Sequence, residues 1–152
     1  MKVIDYDNDR LHSAIRRMKK QINDELFDVD YVVGIVRGGA VPAVYFSHAL
    51  KKSLVMIHWN SSHPEGNETN LWLPEDVNNG AKILIVDDIF CEDTYNTLLD
   101  DWQASVPDEL KTDNIRIATL ACRECHVNQV DYFDMVISND SEEFVVFPWE
   151  SV

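Results

Sequence analysis

Apolar residues along this chain follow two different spacings. Near the start, within residues 8–27, they recur every three or four positions, which predicts an amphipathic helix. The positions on its apolar face are Leu11, Ile15, Met18, Ile22 and Leu26. Asp7, Asn8 and Asp9 stand at the start of this pattern, and each is a residue type that caps helix N-termini.

Later segments are continuous apolar runs, which are typical of strands buried on both faces. They are YVVGIV (31–36), LVMIHW (54–59), KILIVDD (82–88), NIRIATLA (114–121) and YFDMVI (132–137). Helices are predicted between them at about 41–51 and 94–104. This alternation predicts an α/β fold with an open, mainly parallel sheet flanked by helices. No repeat, low-complexity tract or linker interrupts residues 1–152, so we expect a single domain, with the apolar tail EFVVFPWE packed on the sheet.

The charge balance narrows the classes of partner. The chain has 13 basic and 27 acidic residues and a net charge of −14, which disfavours binding to nucleic acid or to anionic membranes. No stretch reaches the roughly 20 apolar residues of a membrane span, and the first ten residues lack a signal-peptide core. The three cysteines argue against a disulfide framework. The sequence therefore predicts a soluble, cytoplasmic protein.

Unusual chemistry follows two of the predicted strands, at the sheet edge where such folds bind ligands. In VRGGAVP, Gly38 and Gly39 allow close approach of the backbone, and Arg37 supplies a planar, permanently charged donor. Together they suit a pyrophosphate held by main-chain N–H groups. The alternative is a tight strand-to-helix turn with a surface arginine.

The second turn begins with paired carboxylates. Asp87 and Asp88 end the strand ILIV and can accept hydrogen bonds from two ribose hydroxyls, directly or through the water of a metal ion. They could also stabilise a developing sugar cation. The alternative is a solvated strand end, although paired acids at a buried edge are costly without a partner.

Three segments together resemble the type I phosphoribosyltransferases. KILIVDDIFCEDTYNTLL resembles their diphosphoribose-binding signature, IVRGGAVPA their pyrophosphate loop, and FVVFPWE the C-terminal segment of the xanthine-guanine and hypoxanthine-guanine members. The resemblance implies transfer of a phosphoribosyl group from 5-phosphoribosyl diphosphate to guanine, xanthine or hypoxanthine, with release of pyrophosphate, as in purine salvage. It also implies Mg²⁺ on the substrate and a homodimer or homotetramer.

The resemblance also implies roles for individual residues. Arg37, Gly38 and Gly39 would hold the pyrophosphate, while Asp87 and Asp88 would face the ribose hydroxyls and, indirectly, the Mg²⁺ of the substrate. The base would be contacted by three residues of the later segments. Phe144 would stack on the purine, Val145 would offer backbone groups to the ring edge, and Arg123 stands where the family has a lysine that contacts the exocyclic oxygen.

The turn after the Asp pair departs from the family pattern. The family continues Asp-Thr-Gly-x-Thr around the 5′-phosphate, and this chain reads Cys91, Glu92, Asp93, Thr94 and Tyr95. A two-residue insertion would instead align Asp93 and Thr94 with the Asp-Thr pair and Thr97 with the last threonine. A unit charge 4 Å from another interacts by about 4 kcal/mol at a dielectric of about 20, so acids here oppose a phosphate.

Two functional hypotheses therefore stand. One is a divergent enzyme in which Glu92 or Asp93 serves as the catalytic acid. The other is a catalytically silent, phosphoribosyltransferase-like protein that binds a nucleotide or regulates a partner. A purely structural alternative for the turn is that Asp93 or Thr94 caps the following helix.

Two further segments carry candidate chemistry. CRECH matches the haem-attachment spacing C-x-x-C-H and could supply Cys122, Cys125 and His126 to a zinc ion, with Cys91, His58 or His63 as a fourth ligand. Haem attachment requires export, for which there is no signal, and nothing in the spacing identifies a fourth ligand. The polar segment 60–72 predicts a mobile loop, which in the family can close over the active site.

Overall fold

The computed structural model describes residues 2–140 and 142–150, which form seven strands and four α-helices. The strands are β1 Lys2–Asp5, β2 Tyr31–Val36, β3 Ser53–His58, β4 Ile83–Ile89, β5 Ile115–Arg123, β6 Tyr132–Ile137 and β7 Glu143–Val146. The helices are α1 Asn8–Asp24, α2 Ala40–Leu50, α3 Trp72–Asn78 and α4 Glu92–Ser105. The expected strands and helices are confirmed to within a few residues, whereas β1 and α3 were not predicted.

Five strands form one parallel sheet in the order β3-β2-β4-β5-β6. After β2 the chain crosses to β3 on one side, and it then returns to place β4 on the other side of β2. The carboxyl ends of β2 and β4 therefore flank the point where the strand order reverses, which is where open α/β sheets bind ligands. The turns that follow these two strands are the ones that carry Arg37–Gly39 and Asp87–Asp88.

Both faces of this sheet are covered, and the side chains of β4 show how. Leu84 and Val86 pack with α1 and α2, whereas Ile83 and Ile85 pack with α3 and α4. This alternation explains the continuous apolar runs in the sequence, because every second residue of a strand faces a different layer of helices. Among the described residues, no helix is long and apolar enough to cross a membrane.

The apolar tail forms a separate two-stranded sheet. β7 pairs in parallel with β1, and Val145 lies opposite Ile4. The side chains of Val145 and Phe147 are buried in the same core as α1. The tail thus packs in the core as expected, and it also pairs with the N-terminal strand.

A buried carboxylate joins α1 to the edge of the main sheet. Asp134, on β6, accepts hydrogen bonds from the Tyr6 hydroxyl (2.6 Å), from Arg10 Nε (2.8 Å) and from Arg17 Nη2. Burial alone would raise the pKa of Asp134, but these three donors outweigh it and lower that pKa. The two arginines are seven positions apart and lie on the same face of α1.

Candidate functional site

The turn after β2 brings backbone against backbone. The Val36–Arg37 peptide bond is cis, and the Gly39 N–H donates to the Ile35 carbonyl at 2.8 Å. A Cβ on Gly39 would stand 2.7 Å from the Ile35 carbonyl oxygen and closer still to that of Val86. Gly39 is thus needed for space, because the end of β4 passes directly beside the turn.

The second glycine lies against the acid pair. A Cβ on Gly38 would stand 2.5 Å from Asp88 Oδ1, so the Asp88 carboxylate covers the α-carbon of this residue. Arg37, Gly38 and Asp88 all line the same cleft. The two turns singled out in the sequence, about 50 residues apart, therefore form one site.

Each of the paired carboxylates accepts a hydrogen bond from the backbone N–H group of the next residue. Asp87 Oδ1 accepts from the Asp88 N–H at 2.9 Å, and Asp88 Oδ1 accepts from the Ile89 N–H at 2.7 Å. Asp87 borders a small cavity of about 20 Å³ that is mostly apolar and includes Ile85 and Ile117. Burial, and then the charge of Asp88, raise the pKa of Asp87 well above its ordinary range. Burial also raises the pKa of Asp88, and the Glu150 carboxylate adds to this rise.

The cleft beside Asp88 has a volume of about 780 Å³, which is within the usual range of small-molecule sites. Asn60, Trp149 and Glu150 also line it. The indole of Trp149 stacks on the Phe147 ring, with the centroids 5.0 Å apart. The sequence did not assign these three residues to the site, although Trp149 and Glu150 belong to the quoted segment FVVFPWE.

Helix α4 begins earlier than expected, and the capping hypothesis is wrong. Its first residue is Glu92, and Cys91 occupies the N-cap position, where within the described chain no side chain makes a capping hydrogen bond. Asp93 and Thr94 thus lie inside the first turn rather than before it. The Glu92 carboxylate pairs with His126, and the Asp93 side chain is exposed. Neither acid lines the cleft.

Of the other residues assigned to the 5′-phosphate loop, Cys91, Thr94 and Tyr95 lie at the start of α4 and border the small cavity beside Asp87, and Thr97 lies further along the helix. The Tyr95 ring packs beside Phe90, with the centroids 6.0 Å apart, and burial raises the pKa of Tyr95 to about 12. Thr97 Oγ1 donates to the Asp93 carbonyl at 2.8 Å and accepts from Trp59 Nε1 at 2.9 Å. Thr97 lies inside α4, in its second turn.

The segment after β3 lies along α4. Its contacts fall on residues at positions i, i+3 and i+7 of the helix, which share one face. They are Ser61 with Thr94 at 3.4 Å, Trp59 with Thr97, and Thr69 with Asp101 at 3.2 Å. The expected loop 60–72 contains a short 3₁₀ turn at Pro64–Gly66 and ends where α3 begins at Trp72.

Of the three residues expected at the base, Phe144 and Val145 lie on β7 and Arg123 lies at the end of β5. Phe144, on β7, is 55% exposed. The side chain of Val145 is buried. Along this segment, the carbonyls of the even-numbered residues Glu142 and Val146 accept hydrogen bonds from the Lys2 and Tyr6 N–H groups. Backbone groups alternate in direction along a strand, so those of Val145 point away from β1. Arg123 ends β5, and its Nη1 donates to the Ser138 carbonyl at 2.9 Å.

The CRECH segment does not form a metal centre in the part of the chain that is described. Cys122 is buried and Cys125 is exposed, and both are free thiols. His126 is occupied by Glu92. Throughout residues 2–140 and 142–150, no group of three or more His, Cys, Asp or Glu residues is placed to hold a metal ion.

The model of the phosphoribosyl transferase domain family matches residues 6–151. No curated protein matches the sequence. Among solved structures, the fold is similar to the purine phosphoribosyltransferase of Pyrococcus horikoshii Ot3, with a TM-score of 0.69, 22% identity, and coverage of 100% of this chain and 97% of the other.

Two further structures share the fold. The xanthine-guanine-hypoxanthine phosphoribosyltransferase of Helicobacter pylori has a TM-score of 0.67 and 18% identity, with coverage of 98% of this chain and 94% of that one. A hypothetical protein from Neisseria gonorrhoeae with bound ppGpp has a TM-score of 0.71 and 17% identity, with coverage of 99% and 90%. At these identities the likeness establishes the fold.

Proposed function

The chain belongs to the phosphoribosyltransferase family, and on that premise we propose that it is a purine phosphoribosyltransferase. It transfers a phosphoribosyl group from 5-phosphoribosyl diphosphate to guanine, xanthine or hypoxanthine and releases pyrophosphate. A ring nitrogen of the base attacks C1 of the ribose as the bond from C1 to the pyrophosphate oxygen breaks. The printed names of the Pyrococcus and Helicobacter structures support a purine as the acceptor.

One observation carries this proposal: the Asp88 carboxylate lies on Gly38 at the point where the strand order reverses. A ligand lying across the two turns can present a pyrophosphate to the main-chain N–H groups of one and ribose hydroxyls to the carboxylate of the other. Diphosphoribose has these groups in that order. The cleft volume of about 780 Å³ accommodates such a ligand.

Each residue then has a task set by its charge and position. Arg37 and the backbone of Gly38 and Gly39 bind the leaving pyrophosphate, which gains charge as the bond breaks. Asp88 accepts hydrogen bonds from the ribose hydroxyls, and its negative charge, with that of Asp87, stabilises the positive charge that develops on the sugar ring. Catalysis of this kind depends on preorganised charge and on positioning of the reactants.

The residues of the cleft also fit Mg²⁺. This ion prefers carboxylate oxygens and keeps several waters, and Asp88 and Glu150 are close enough for the charge of Glu150 to raise the pKa of Asp88. A divalent cation between them would relieve that repulsion. Asp88 and Glu150 would hold the ion, and the ion would neutralise charge on the pyrophosphate.

The base is received on the side of β7. Phe144 presents an exposed ring for stacking, and the backbone of Val145 faces away from β1 and is available to the purine edge. Arg123 contacts the base less directly than a lysine would, because one of its donors binds Ser138. We include a homodimer or homotetramer and a cytoplasmic location in the proposal, on the family resemblance and the composition.

The test is release of pyrophosphate from 5-phosphoribosyl diphosphate and Mg²⁺ in the presence of each purine base. We expect turnover with at least one of guanine, xanthine and hypoxanthine, and its loss in Asp88→Asn. Asp108→Asn is the matched control, because Asp108 is exposed and precedes β5, at the opposite edge of the sheet. Absence of turnover with all three bases at high protein concentration would contradict the enzyme.

A second candidate function is a catalytically silent protein that binds a nucleotide. The observation in its favour is the acidic first turn of α4, formed by Glu92 and Asp93 where the family has small residues. The similar Neisseria structure was solved with bound ppGpp. Calorimetric titration with ppGpp distinguishes the two: binding of ppGpp by a protein without turnover supports the silent candidate.

A further inference from the structure

His126 is unused by the proposed reaction, yet it makes a specific contact at the start of α4. Its Nε2 lies 2.9 Å from Glu92 Oε2, across 34 residues of sequence. Its ring packs edge-on against Phe90, with the centroids 5.4 Å apart. The His126 side chain is 22% exposed and that of Glu92 is 43% exposed. The contact thus joins the turn after β5 to the first residue of α4.

The donor in this contact follows from the chemistry of the two groups. A carboxylate has no proton to give, so His126 Nε2 carries the hydrogen and donates it. The other ring nitrogen, Nδ1, is buried and has no partner among the residues described. The Nε2–H group of the ring is therefore aimed at the Glu92 carboxylate.

This contact lies beside the N-terminal N–H groups of α4. The first N–H groups of a helix bind anions, and no capping side chain occupies those of α4 within the described ranges. Glu92 and Asp93 are the acids that would repel a phosphate there. Asp93 is exposed. Among the described residues, Glu92 is the acid of this pair whose carboxylate is fixed by a partner, so its direction determines how much negative charge a phosphate would meet.

We propose that His126 is a positioning residue that holds the Glu92 carboxylate toward the turn after β5 and so keeps the first turn of α4 open to the 5′-phosphate of the ligand. This inference rests on the proposed function. It gives a role to the histidine of the CRECH segment and explains how an acidic turn can coexist with a phosphate site.

The test compares binding of two probes to five proteins. The probes are 5-phosphoribosyl diphosphate with Mg²⁺, which engages both ends of the site, and pyrophosphate with Mg²⁺, which engages only the Arg37–Gly39 turn. The proteins are the native chain, His126→Phe, Glu92→Gln, these two changes combined, and His126→Gln. Phenylalanine keeps the ring packing on Phe90 and removes the donor.

We expect His126→Phe to weaken 5-phosphoribosyl diphosphate binding about tenfold or more, because the released carboxylate can approach the phosphate. Adding Glu92→Gln restores affinity to near the native value, and pyrophosphate binding is unchanged throughout. His126→Gln, whose amide still donates, keeps near-native affinity. A purely packing role for His126 predicts no rescue by Glu92→Gln.

The outcomes separate the two proposals. If the native chain binds neither probe, the proposed function fails and this inference fails with it. If the native chain binds 5-phosphoribosyl diphosphate and His126→Phe leaves its Kd unchanged, or the loss is not rescued by Glu92→Gln, the inference alone is overturned.

Discussion

The carboxylate of Asp88 covers the α-carbon of Gly38, although the two residues belong to different turns. Gly38→Ala would force this carboxylate aside, and a side chain can move where backbone cannot. We therefore expect little loss of folding stability but at least about a tenfold fall in 5-phosphoribosyl diphosphate binding, since misplaced site residues cost one or more powers of ten. Calorimetry with parallel thermal unfolding tests this, and a large fall in Tm would contradict it.

A substitution at Gly39 should instead reduce folding stability. Its added Cβ would meet the backbone carbonyls of Ile35 and Val86, which are fixed in β2 and β4. Gly39→Ala is expected to lower the free energy of unfolding by about 3 kcal/mol, as overpacking does in a rigid region. Urea unfolding measures this, with Gly66→Ala as the control, because a Cβ on Gly66 has no neighbour within 4 Å.

Asp87 is predicted to reduce stability at neutral pH. Its pKa is raised by burial and by Asp88, so the folded state holds the proton more tightly than the unfolded state. Stability contributed by this group therefore falls as pH rises from the ordinary aspartate value of about 3.9 through the raised pKa.

Asp87→Asn should consequently raise the free energy of unfolding at neutral pH by more than the roughly 0.5 kcal/mol typical of surface changes. It should also abolish turnover. The gain in stability should vanish in acid, where the native carboxyl is protonated in both states. Urea unfolding at a series of pH values checks this, and an equal gain at every pH would be inconsistent with it.

The contribution of Asp134 to folding stability depends on pH in the opposite direction from that of Asp87. Tyr6, Arg10 and Arg17 lower its pKa, so its contribution is present above the ordinary pKa of the carboxyl and is lost as pH falls through the lowered value. Asp134→Asn should cost about 2–3 kcal/mol at neutral pH, below the range for fully buried pairs because both arginines are half exposed. Asp24→Asn, which breaks the exposed pair with Lys20, should change stability by less than about 0.5 kcal/mol.

Phe144 offers a test confined to the base. If its exposed ring stacks on the purine, Phe144→Ala should raise the KM for the base about tenfold, since stacking on an aromatic side chain is worth about 1–3 kcal/mol. The Kd for 5-phosphoribosyl diphosphate should not change. Val3→Ala is the control, because Val3 lies opposite Phe144 on β1 and is also exposed. Equal effects of the two variants would assign Phe144 to packing alone.

The main sheet was readable from the sequence because its strands are apolar on both faces. Tyr31–Val36 and Tyr132–Ile137 were predicted at their observed bounds. By contrast, β1 has four residues with little burial, and its partner β7 is about 140 residues away, so no local pattern marks it. Helix α3 has only seven residues and contains Pro74, which hides its helical spacing.

The site was predictable in part because some of its signals are local in the sequence. Glycines and paired acids at strand ends are local signals, and the sheet edge brings them together without further information. The direction of Glu92 is not local, because it depends on His126 in the turn after β5. Glu150 was likewise missed, since only the fold brings it into the same cleft as Asp88, close enough to raise the pKa of that acid.

The separate β1–β7 sheet has a consequence for how this molecule can change over time. Under the proposed function, turns of the five-stranded sheet bind the phosphate-bearing part of the substrate. The base is bound beside β7, which pairs only with β1 among the described strands. Substitutions at Phe144 or its neighbours can therefore change which base is accepted without disturbing the binding of pyrophosphate. Such a division lets natural selection retune the choice of nucleobase while the donor half of the enzyme is conserved.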